Sequence, residues 1–402
     1  MNNDTLFPPL GDADIRELTA FRHELHRYPE LSGEEQETAR RVCAMLEPTA
    51  PDALLEGLGG HGVAAVYDSG MPGPTILVRS ELDALPILEL GEIDHRSAKP
   101  GTAHLCGHDG HSTILVGLGR VLSRQRPPRG RVVLMFQPAE ETGQGAAAVV
   151  ADPRYGEIRP DWAFSLHNMP EIEKGSAELV VGPANCASRG MWIRLTGSTA
   201  HASRPGDGLS PMRAMCTLLP ALEALGAGQL PEPDFVMVTP THARLGEPSY
   251  GVAPGEAWLQ VTLRTADDAH MSDVVQRAED LAKRTALDNG LAVTIGYEDV
   301  FPASVNDADA VDCLAEALAR SGIRRITPPG PSVASEDFGR FGKAGARSAM
   351  VFLGAGPDSH AVHTPEYDFD DTLIPVGVRI FSEAIAACLD RTGAESGDRL
   401  GS

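Results

Sequence analysis

The chain has 402 residues, of which 42% are hydrophobic, and its formal net charge at pH 7 is −22. This length is too great for one hydrophobic core, so we expect two domains. An acidic chain without a basic block argues against a nucleic-acid groove and against binding to an anionic membrane surface. No apolar stretch is as long as a membrane span, and the N-terminus lacks the features of a secretory signal. Six cysteines at irregular spacings are typical of a reducing compartment, so we expect a cytoplasmic protein.

Short apolar runs that alternate with helical segments predict the main sheet. A helical region at residues 12–47, interrupted at 28–33, is followed by four such runs, at residues 75–79, 131–136, 162–166 and 349–353. Continuous apolar strands separated by helices are typical of a mainly parallel sheet with helices on both faces. The predicted fold class is therefore α/β.

Polar residues follow each of these predicted strands. They are Glu81 and Asp83, Glu140 and Glu141, His167 and Asn168, and His360 and His363. Sheets of this kind bind ligands beyond the carboxyl ends of their strands. We therefore expect a functional site at this edge of the sheet.

The middle of the chain has a different pattern. We predict strands at 191–197, 235–243, 256–264 and 291–299, with helices at 210–226 and 268–288. The order β-α-β-β-α-β is that of a split βαβ (ferredoxin-like) domain. We therefore predict a discontinuous catalytic domain of residues 1–187 and 301–402, with an inserted domain at residues 188–300.

Cys106 and His108 lie just before a helix predicted from Thr113 to Gln125. A helix N-terminus favours a thiolate, and a thiolate and an imidazole two residues apart can reach one metal ion. Taken alone, the pair fits a small buried cysteine beside a hydrogen-bonded histidine equally well.

The strand-end groups together indicate metal chemistry. A thiolate, imidazoles and carboxylates suit Zn, Mn or Co, and this set exceeds the four ligands of one tetrahedral ion. A two-metal site would use all of them. One carboxylate of the adjacent pair can bind metal while the other acts as a general base on a metal-activated water. The set consists of Cys106, His108, Glu140, Glu141, His167 and His363.

Eight segments of the sequence resemble the signatures of the aminoacylase-type metallopeptidases, in the branch of hippurate hydrolase and the auxin-conjugate amidohydrolases. The resemblance covers nearly the whole chain in the right order. The segments are His23–Leu31, Arg79–Pro86, Cys106–His111, Phe136–Glu141, His167–Pro170, Gly197–Ala202, Ser335–Phe338 and His363–Pro365.

This resemblance implies an enzyme with two divalent metal ions (Mn, Zn, Co or Ni) that cleaves the amide bond of N-acyl amino acids or related small amides. Glu140 would be the general base, Asp83 would hold a metal ligand in place, and His201 would stabilise the oxyanion. The inserted domain would be a lid that forms a homodimer, or a higher homo-oligomer, and would carry its histidine to the partner subunit. The implied metal ligands are Cys106, His108, Glu141, His167 and His363.

We expect the substrate to contact Arg264, Gly251 and Asn168. Arg264 matches the arginine of the family and can bind an anionic group, although a surface or interdomain salt bridge explains it equally well. Gly251 stands where the family usually has an asparagine that holds the substrate. The substrate here can therefore lack the usual carboxylate or present it differently.

Two other functions are compatible with parts of the pattern. A metal-free hydrolase would use Cys106 as its nucleophile, but it would leave Glu140 and His363 without a role. A conjugate-binding protein that has lost its chemistry would lack the base or a ligand, and the sequence retains both. We assign no ligand role to His104, His111 or His360 and expect a structural hydrogen bond for each. We expect His23 and His26 to have packing or capping roles.

Overall fold

The structure, a computed structural model, describes residues 5–398, with side chains through Arg391. Its first part alternates helices and strands. The elements up to Asn185 are α1 (Asp12–Arg27), α2 (Gln36–Leu46), β1 (Ala53–Leu58), β2 (Gly62–Asp68), β3 (Thr75–Glu81), α3 (His108–Arg124), β4 (Arg131–Gln137), α4 (Gly145–Ala151), α5 (Tyr155–Ile158), β5 (Trp162–Met169), β6 (Ser176–Glu178) and β7 (Gly182–Asn185).

The middle part is richer in antiparallel strands. Its elements are β8 (Ala187–Thr196), β9 (Ala200–His201), α6 (Met212–Glu223), β10 (Val236–Leu245), β11 (Val252–Ala253), β12 (Glu256–Thr265), α7 (Asp268–Asp288) and β13 (Ala292–Phe301). The last part returns to the first pattern. It contains β14 (Ser304–Asn306), α8 (Ala308–Ser321), β15 (Arg324–Ile326), α9 (Gly339–Lys343), β16 (Arg347–Gly354) and α10 (Leu373–Asp398).

The large sheet has eight strands in the order β1-β2-β4-β3-β5-β16-β6-β15. Its four central strands, β4, β3, β5 and β16, run parallel to one another. Every residue of β3 is buried, as a strand covered on both faces requires. This confirms the predicted fold class of a mainly parallel sheet flanked by helices.

Alternate residues of the central strands pack into two hydrophobic clusters. Val132 and Leu134 of β4 pack with the helices α1, α2, α3, α8 and α10, whereas Val133 and Met135 pack with α4, α5 and α9. Successive side chains of a strand point to opposite faces, so the sheet lies between two layers of helices. No helix of the described residues is long and apolar enough to cross a membrane.

Contacts between Cα atoms divide the chain into two units. The first comprises the described residues up to Ala184, then Val305–Pro328 and the described residues from Asp337 onward. The second comprises Asn185–Ser304 and Pro329–Glu336. It contains a four-stranded antiparallel sheet in the order β10-β12-β8-β13, with α6 and α7 packed on one face.

The helix that carries the cysteine–histidine motif begins earlier than predicted. We expected it to start at Thr113, but α3 starts at His108 and includes the rest of the motif. The polar residues before Thr113 interrupt the apolar pattern, yet they are buried and hydrogen-bonded within the protein. Periodicity could not detect a first turn that is buried with polar side chains.

Candidate metal centre and active site

Four neighbouring strands bring their carboxyl ends to one edge of the large sheet, because β4, β3, β5 and β16 are parallel. Asp83 follows β3, and Glu140 and Glu141 follow β4. His167 lies near the end of β5, and the loop with His363 follows β16. This edge is where the sequence predicted a site.

Cys106 and His108 lie on either side of Gly107, which precedes α3 with a φ of 100°. A β-carbon at residue 107 would meet Asn168 Oδ1 and the hydroxyl of Tyr367 well inside contact distance. Glycine is therefore required by both the backbone conformation and the lack of space. The tight turn allows both neighbouring side chains to enter the site.

Main-chain carbonyl groups fix the tautomer of two histidines. His108 Nδ1 lies 2.9 Å from the carbonyl oxygen of Asp83, and His167 Nδ1 lies 2.8 Å from that of Asn168. A carbonyl oxygen only accepts, so each Nδ1 carries a proton and Nε2 of the neutral ring presents a lone pair. Burial and the charge of His111 lower the pKa of His167 to about 3, so this ring is neutral. Both rings are oriented to bind a metal through Nε2.

The ligand atoms converge on one place. Nε2 of His167 and Nε2 of His363 each lie 3.3 Å from Cys106 Sγ. Glu141 Oε1 lies 3.4 Å from His363 Nε2 and 3.9 Å from His108 Nε2. Three overlapping sets of ligand atoms each fit within 4.8 Å, and together they form what we call the metal cluster. The sets are Cys106–His108–His167, Cys106–Glu141–His363 and His108–Glu140–Glu141.

Two buried atoms of the metal cluster, His108 Nε2 and Glu141 Oε1, have no hydrogen-bond partner among the described residues. Burial disfavours the charged form of His108, but Cys106 and the hydrogen bond with Asp83 outweigh it and raise the pKa of this imidazole. The surroundings thus favour a positive charge, although a proton on Nε2 would have no acceptor within hydrogen-bonding distance. A divalent metal ion bound here would satisfy both atoms and would supply that charge.

Cys106 is buried, and burial together with the negative charge of Glu141 raises the pKa of its thiol. A thiol of this kind stays protonated unless a cation stabilises the thiolate. The environment of Cys106 therefore suits a metal ligand better than an unassisted nucleophile.

Asp83 is fully buried beside the metal cluster. Burial acts to raise the pKa of this carboxyl, but hydrogen bonds with His108 and the Glu141 N–H lower it below its usual value. Oδ2 accepts the N–H of Glu141 at 2.9 Å, and the carbonyl oxygen orients His108. Asp83 therefore contacts two of the predicted ligands.

A buried chain of hydrogen bonds supports the other side of the cluster. Glu81 Oε2 lies 2.8 Å from His111 Nδ1, and His111 Nε2 lies 2.7 Å from Asn168 Oδ1. Asn168 in turn donates to the hydroxyl of Tyr367 at 2.6 Å. We expected Asn168 to contact substrate, but its side chain is buried. The oxygen and the nitrogen of its side-chain amide both form hydrogen bonds within the protein. His111 thus makes the structural hydrogen bonds that we expected of it, whereas His104, for which we expected the same, makes none among the described residues.

A second group of histidines and carboxylates contacts the first turn of α3 through Asp109. His26 Nδ1 is 2.9 Å from Asp109 Oδ2, and His26 Nε2 is 3.2 Å from Glu89 Oε1. Burial opposes the charged form of His26, but these two carboxylates raise its pKa to about 9. Arg22 donates to Asp368 at 2.6 Å. We call this group the paired cluster, and it comprises Arg22, His26, Glu89, His95, Asp109 and Asp368.

In the second unit, His201 is exposed on β9, which pairs with β11. Its Nδ1 accepts the N–H of Ser203 at 3.1 Å and lies 2.8 Å from the Ser203 hydroxyl. A nitrogen that accepts a main-chain N–H has no proton, so Nε2 carries it. His201 thus presents an N–H donor.

Gly251 directly precedes Val252, the residue that pairs with His201, and its carbonyl accepts the N–H of Ala202 at 3.0 Å. Its φ is not in the left-handed region, and an added β-carbon would meet nothing within 4 Å. Neither conformation nor space therefore requires glycine here. Elsewhere in the second unit, Arg264 Nη1 donates to the carbonyl of Val333 at 2.6 Å and to Ser335 Oγ at 2.8 Å.

Comparison with known proteins decides the family. The family model of peptidase family M20/M25/M40 matches residues 77–387. The chain belongs to this family. This confirms the resemblance that the motifs indicated, and it identifies the protein as a hydrolase.

Relatives of this M20-family chain match it over nearly its whole length. The N-acetyl-L-cysteine deacetylase of Bacillus subtilis is 30% identical, over 93% of this chain and 89% of the relative. The hippurate hydrolase of Campylobacter jejuni is 29% identical, over 89% of this chain and 93% of the relative. The crystal structure of the Bacillus subtilis YXEP protein, described as a dinuclear metal-binding peptidase, is 26% identical with a TM-score of 0.78, covering 94% of this chain and 99% of that one.

Proposed function

We propose that this M20-family hydrolase cleaves the amide bond of N-acyl amino acids or related small amides with two divalent metal ions. The observation that carries the proposal is the convergence of buried ligand atoms. Nε2 of His108 and Oε1 of Glu141 lie 3.9 Å apart without hydrogen-bond partners among the described residues, and main-chain carbonyls orient the histidines. Similarity to a hippurate hydrolase and to an N-acetyl-L-cysteine deacetylase supports a substrate of this class.

The residues that would hold two ions are the five predicted ligands. Cys106, His108 and Glu141 each belong to two of the overlapping ligand sets, so the sets form one continuous group of donors. Metal ions bound here supply Lewis acidity, which lowers the pKa of a water and polarises the amide carbonyl. Mn, Zn, Co and Ni all accept this mixture of imidazole, carboxylate and thiolate. The ligands are Cys106, His108, Glu141, His167 and His363.

Glu140 would act as the general base. Its Oε2 lies 3.9 Å from His108 Nε2, so the carboxylate lies beside a predicted metal ligand. In the proposed reaction Glu140 takes a proton from the attacking water and delivers it to the nitrogen of the leaving amine. Glu141, which faces His108 and His363, would remain a ligand throughout.

His201 would stabilise the negative charge that develops on the carbonyl oxygen. Its exposed ring and its Nε2–H, fixed by Ser203, suit a donor to an oxyanion. We further propose that the second unit is a lid that pairs with a second copy of this chain. In such a homodimer each His201 would serve the site of the partner subunit, as the family resemblance implies.

Substrate binding would involve the second unit as well. Arg264 lies beside Val333 and Ser335, and its guanidinium can recognise the carboxylate of an amino acid. Gly251 offers only main-chain groups where the family resemblance implies an asparagine, which would widen the range of substrates. We also propose a cytoplasmic location, because none of the six cysteines, all in the described part of the chain, forms a disulfide.

The test is a product-release assay over a panel of N-acyl amino acids, with each metal restored in turn to chelated protein. We expect chelation to abolish turnover and about two ions per chain to restore it. Turnover that survives chelation and is lost in Cys106→Ser would instead establish a metal-free cysteine hydrolase. Tight binding of a conjugate without turnover of any panel member would establish a binding protein.

Mixed dimers test the role of His201 and of the partner. His201→Ala and Glu140→Gln homodimers should each be nearly inactive. After subunit exchange in equal amounts, half of the dimers pair one chain of each kind, and one site in each of these works. About a quarter of full activity should return. A strictly monomeric protein, or no recovery after confirmed exchange, contradicts the shared site.

A substitution at Gly251 tests the substrate range. Gly251→Asn has space for its side chain and should improve turnover of ordinary N-acetyl or N-benzoyl amino acids relative to other amides. Equal effects on all panel members would show that this position does not select the substrate.

A further inference from the structure

The residue before the proposed general base adopts an unfavourable backbone conformation. Ala139 has a φ of 49°, in the left-handed region that residues other than glycine rarely occupy. Strain of this kind persists only where surrounding contacts hold it, and it is common beside active sites. Ala139 directly precedes Glu140, so whatever holds Ala139 also sets the direction of the base.

The carbonyl of Ala139 accepts the N–H of Gly145 within its own loop at 3.0 Å, and its N–H is bound from a turn far away in the sequence. Oε1 of Glu35, in the turn between α1 and α2, accepts the N–H of Ala139 at 2.8 Å. The same oxygen accepts the N–H of Gly33 at 2.8 Å, which fixes the carboxylate within its own turn. One buried acceptor thus connects this turn to the loop of the proposed base.

Glu35 is expected to lower the stability of the folded protein at this position. It is fully buried, and its Oε2 has no hydrogen-bond partner among the described residues. Burying a carboxylate with one unpaired oxygen destabilises a protein. Stability alone therefore does not account for Glu35, whereas control of the loop does.

The other side of Glu140 is held in the same way. Asp83 Oδ2 accepts the N–H of Glu141 at 2.9 Å and also the hydroxyl of Ser32 at 2.7 Å. The main-chain N–H groups on both sides of Glu140 are thus bound by buried carboxylates, and the turn with Ser32 and Glu35 contacts both supports.

We propose that Glu35 is a positioning residue for Glu140, because it holds Ala139 in the left-handed conformation that aims the base at the metal cluster. This inference rests on the proposed function, in which Glu140 is the general base. Glu35 acts through the main chain and has no contact with substrate or metal. The property it supplies is an acceptor at Oε1, so an uncharged acceptor of the same shape should suffice.

The experiment compares kcat, KM and metal content of Glu35 variants with the wild-type holoenzyme. Glu35→Met removes the acceptor, and kcat should fall tenfold or more with KM and metal content unchanged. Glu35→Gln keeps an acceptor and should retain kcat within about threefold. If Glu35→Met does not fold, Glu35→Asp serves in its place. Its side chain is one methylene shorter, so the acceptor no longer reaches Ala139 and kcat should fall by the same factor.

A second substitution separates positioning from general damage. Glycine adopts the left-handed conformation without strain, so Ala139→Gly in the Glu35→Met background should restore most of the lost kcat. The matched control is Glu30→Met, since Glu30 Oε2 accepts the N–H and hydroxyl of Thr38 near the same turn without contacting Ala139. Glu30→Met should lower the midpoint of thermal unfolding while kcat stays unchanged.

Three results would overturn the inference. These are a wild-type kcat in both Glu35→Met and Glu35→Asp, a loss in Glu35→Gln as large as in Glu35→Met, and a loss that Ala139→Gly does not relieve. Failure of the proposed function would look different, because Glu140→Gln would then keep its turnover whatever the Glu35 variants do.

Discussion

The metal cluster and the paired cluster contain the same kinds of side chain, yet they differ in how their polar atoms are satisfied. In the paired cluster each ring nitrogen of His26 has a carboxylate partner, and Arg22 supplies a permanent positive charge. In the metal cluster His108 Nε2 and Glu141 Oε1 face each other without hydrogen-bond partners among the described residues. Both clusters include a residue from the first turn of α3, His108 in the metal cluster and Asp109 in the paired cluster.

The difference shows what identifies a metal site in a protein interior. Residue type and spacing do not identify a metal site, because His26, His95 and Asp368 also present ligand atoms within 4.8 Å of one another. A buried nitrogen without a hydrogen-bond partner does not by itself identify a metal site either. His104 is buried, neither of its ring nitrogens has a partner among the described residues, and burial lowers its pKa to about 4. The feature that separates the two clusters is a pair of buried ligand atoms, His108 Nε2 and Glu141 Oε1, that lie 3.9 Å apart without hydrogen-bond partners among the described residues.

The largest expected effect concerns Glu140. Glu140→Gln keeps the shape and removes the base, so kcat should fall on the order of a hundredfold or more while both metal ions stay bound. Steady-state kinetics and metal analysis of the same sample check this result. Glu141→Gln is the matched control and should lose metal instead. Reversed outcomes would mean that the two neighbouring carboxylates have exchanged roles.

The next effect concerns the metal cluster directly. Cys106→Ala and His108→Ala each remove a ligand and leave the remaining donors oriented, so metal analysis should find at least one ion fewer per chain. Turnover should fall with the metal. If both variants retain full metal content and activity, the metal cluster is assigned to the wrong residues.

The paired cluster should be visible in the pH dependence of stability. The pKa of His26 is raised to about 9, so its contribution is complete below the unfolded value of roughly 6.5 and is lost as the pH rises through 9. The loss should be on the order of 3 kcal/mol, because a tenfold change in a proton-binding constant corresponds to about 1.4 kcal/mol. The charged and titratable groups around His26 are Asp109, Glu89, Asp368, Arg22, His95 and His104.

Denaturant unfolding of the metal-free protein between pH 6.5 and 9.5 measures this contribution. His26→Gln should remove the dependence that the wild type shows over this range. His23→Gln is the control, because His23 is partly exposed and its pKa is lowered chiefly by burial. If the free energy of unfolding changes with pH in the same way in the wild type and in His26→Gln, His26 is not charged in the folded protein.

The smallest expected effect is an absence of change. His95→Ala removes a ring that stacks on His23 at 3.8 Å and contacts Asp368, but Arg22 already provides the cation there. The metal content should therefore equal that of the wild type, and kcat should change by less than about twofold. Loss of a metal ion in this variant would show that the paired cluster also binds metal.

Much of the fold could be predicted from the sequence because its signals are local. The continuous apolar runs of β3, β4, β5 and β16 lie in a sheet covered on both faces, and burial of both faces dictates such runs. The pattern between residues 191 and 299 likewise corresponds to β8, α6, β10, β12, α7 and β13. The parallel arrangement then placed the polar residues after these strands at one edge.

Only the tertiary structure decided which of these groups are ready to bind a metal. The carbonyl oxygens that orient His108 and His167 belong to the main chain, which is the same at every residue and has no sequence signal. The contacts between His26 and Asp109, and between Glu35 and Ala139, join residues 83 and 104 positions apart. Such pairs are set by how helices and loops pack around the sheet. The sequence therefore determined the kinds of ligand available, and packing determined which atoms remained unpaired.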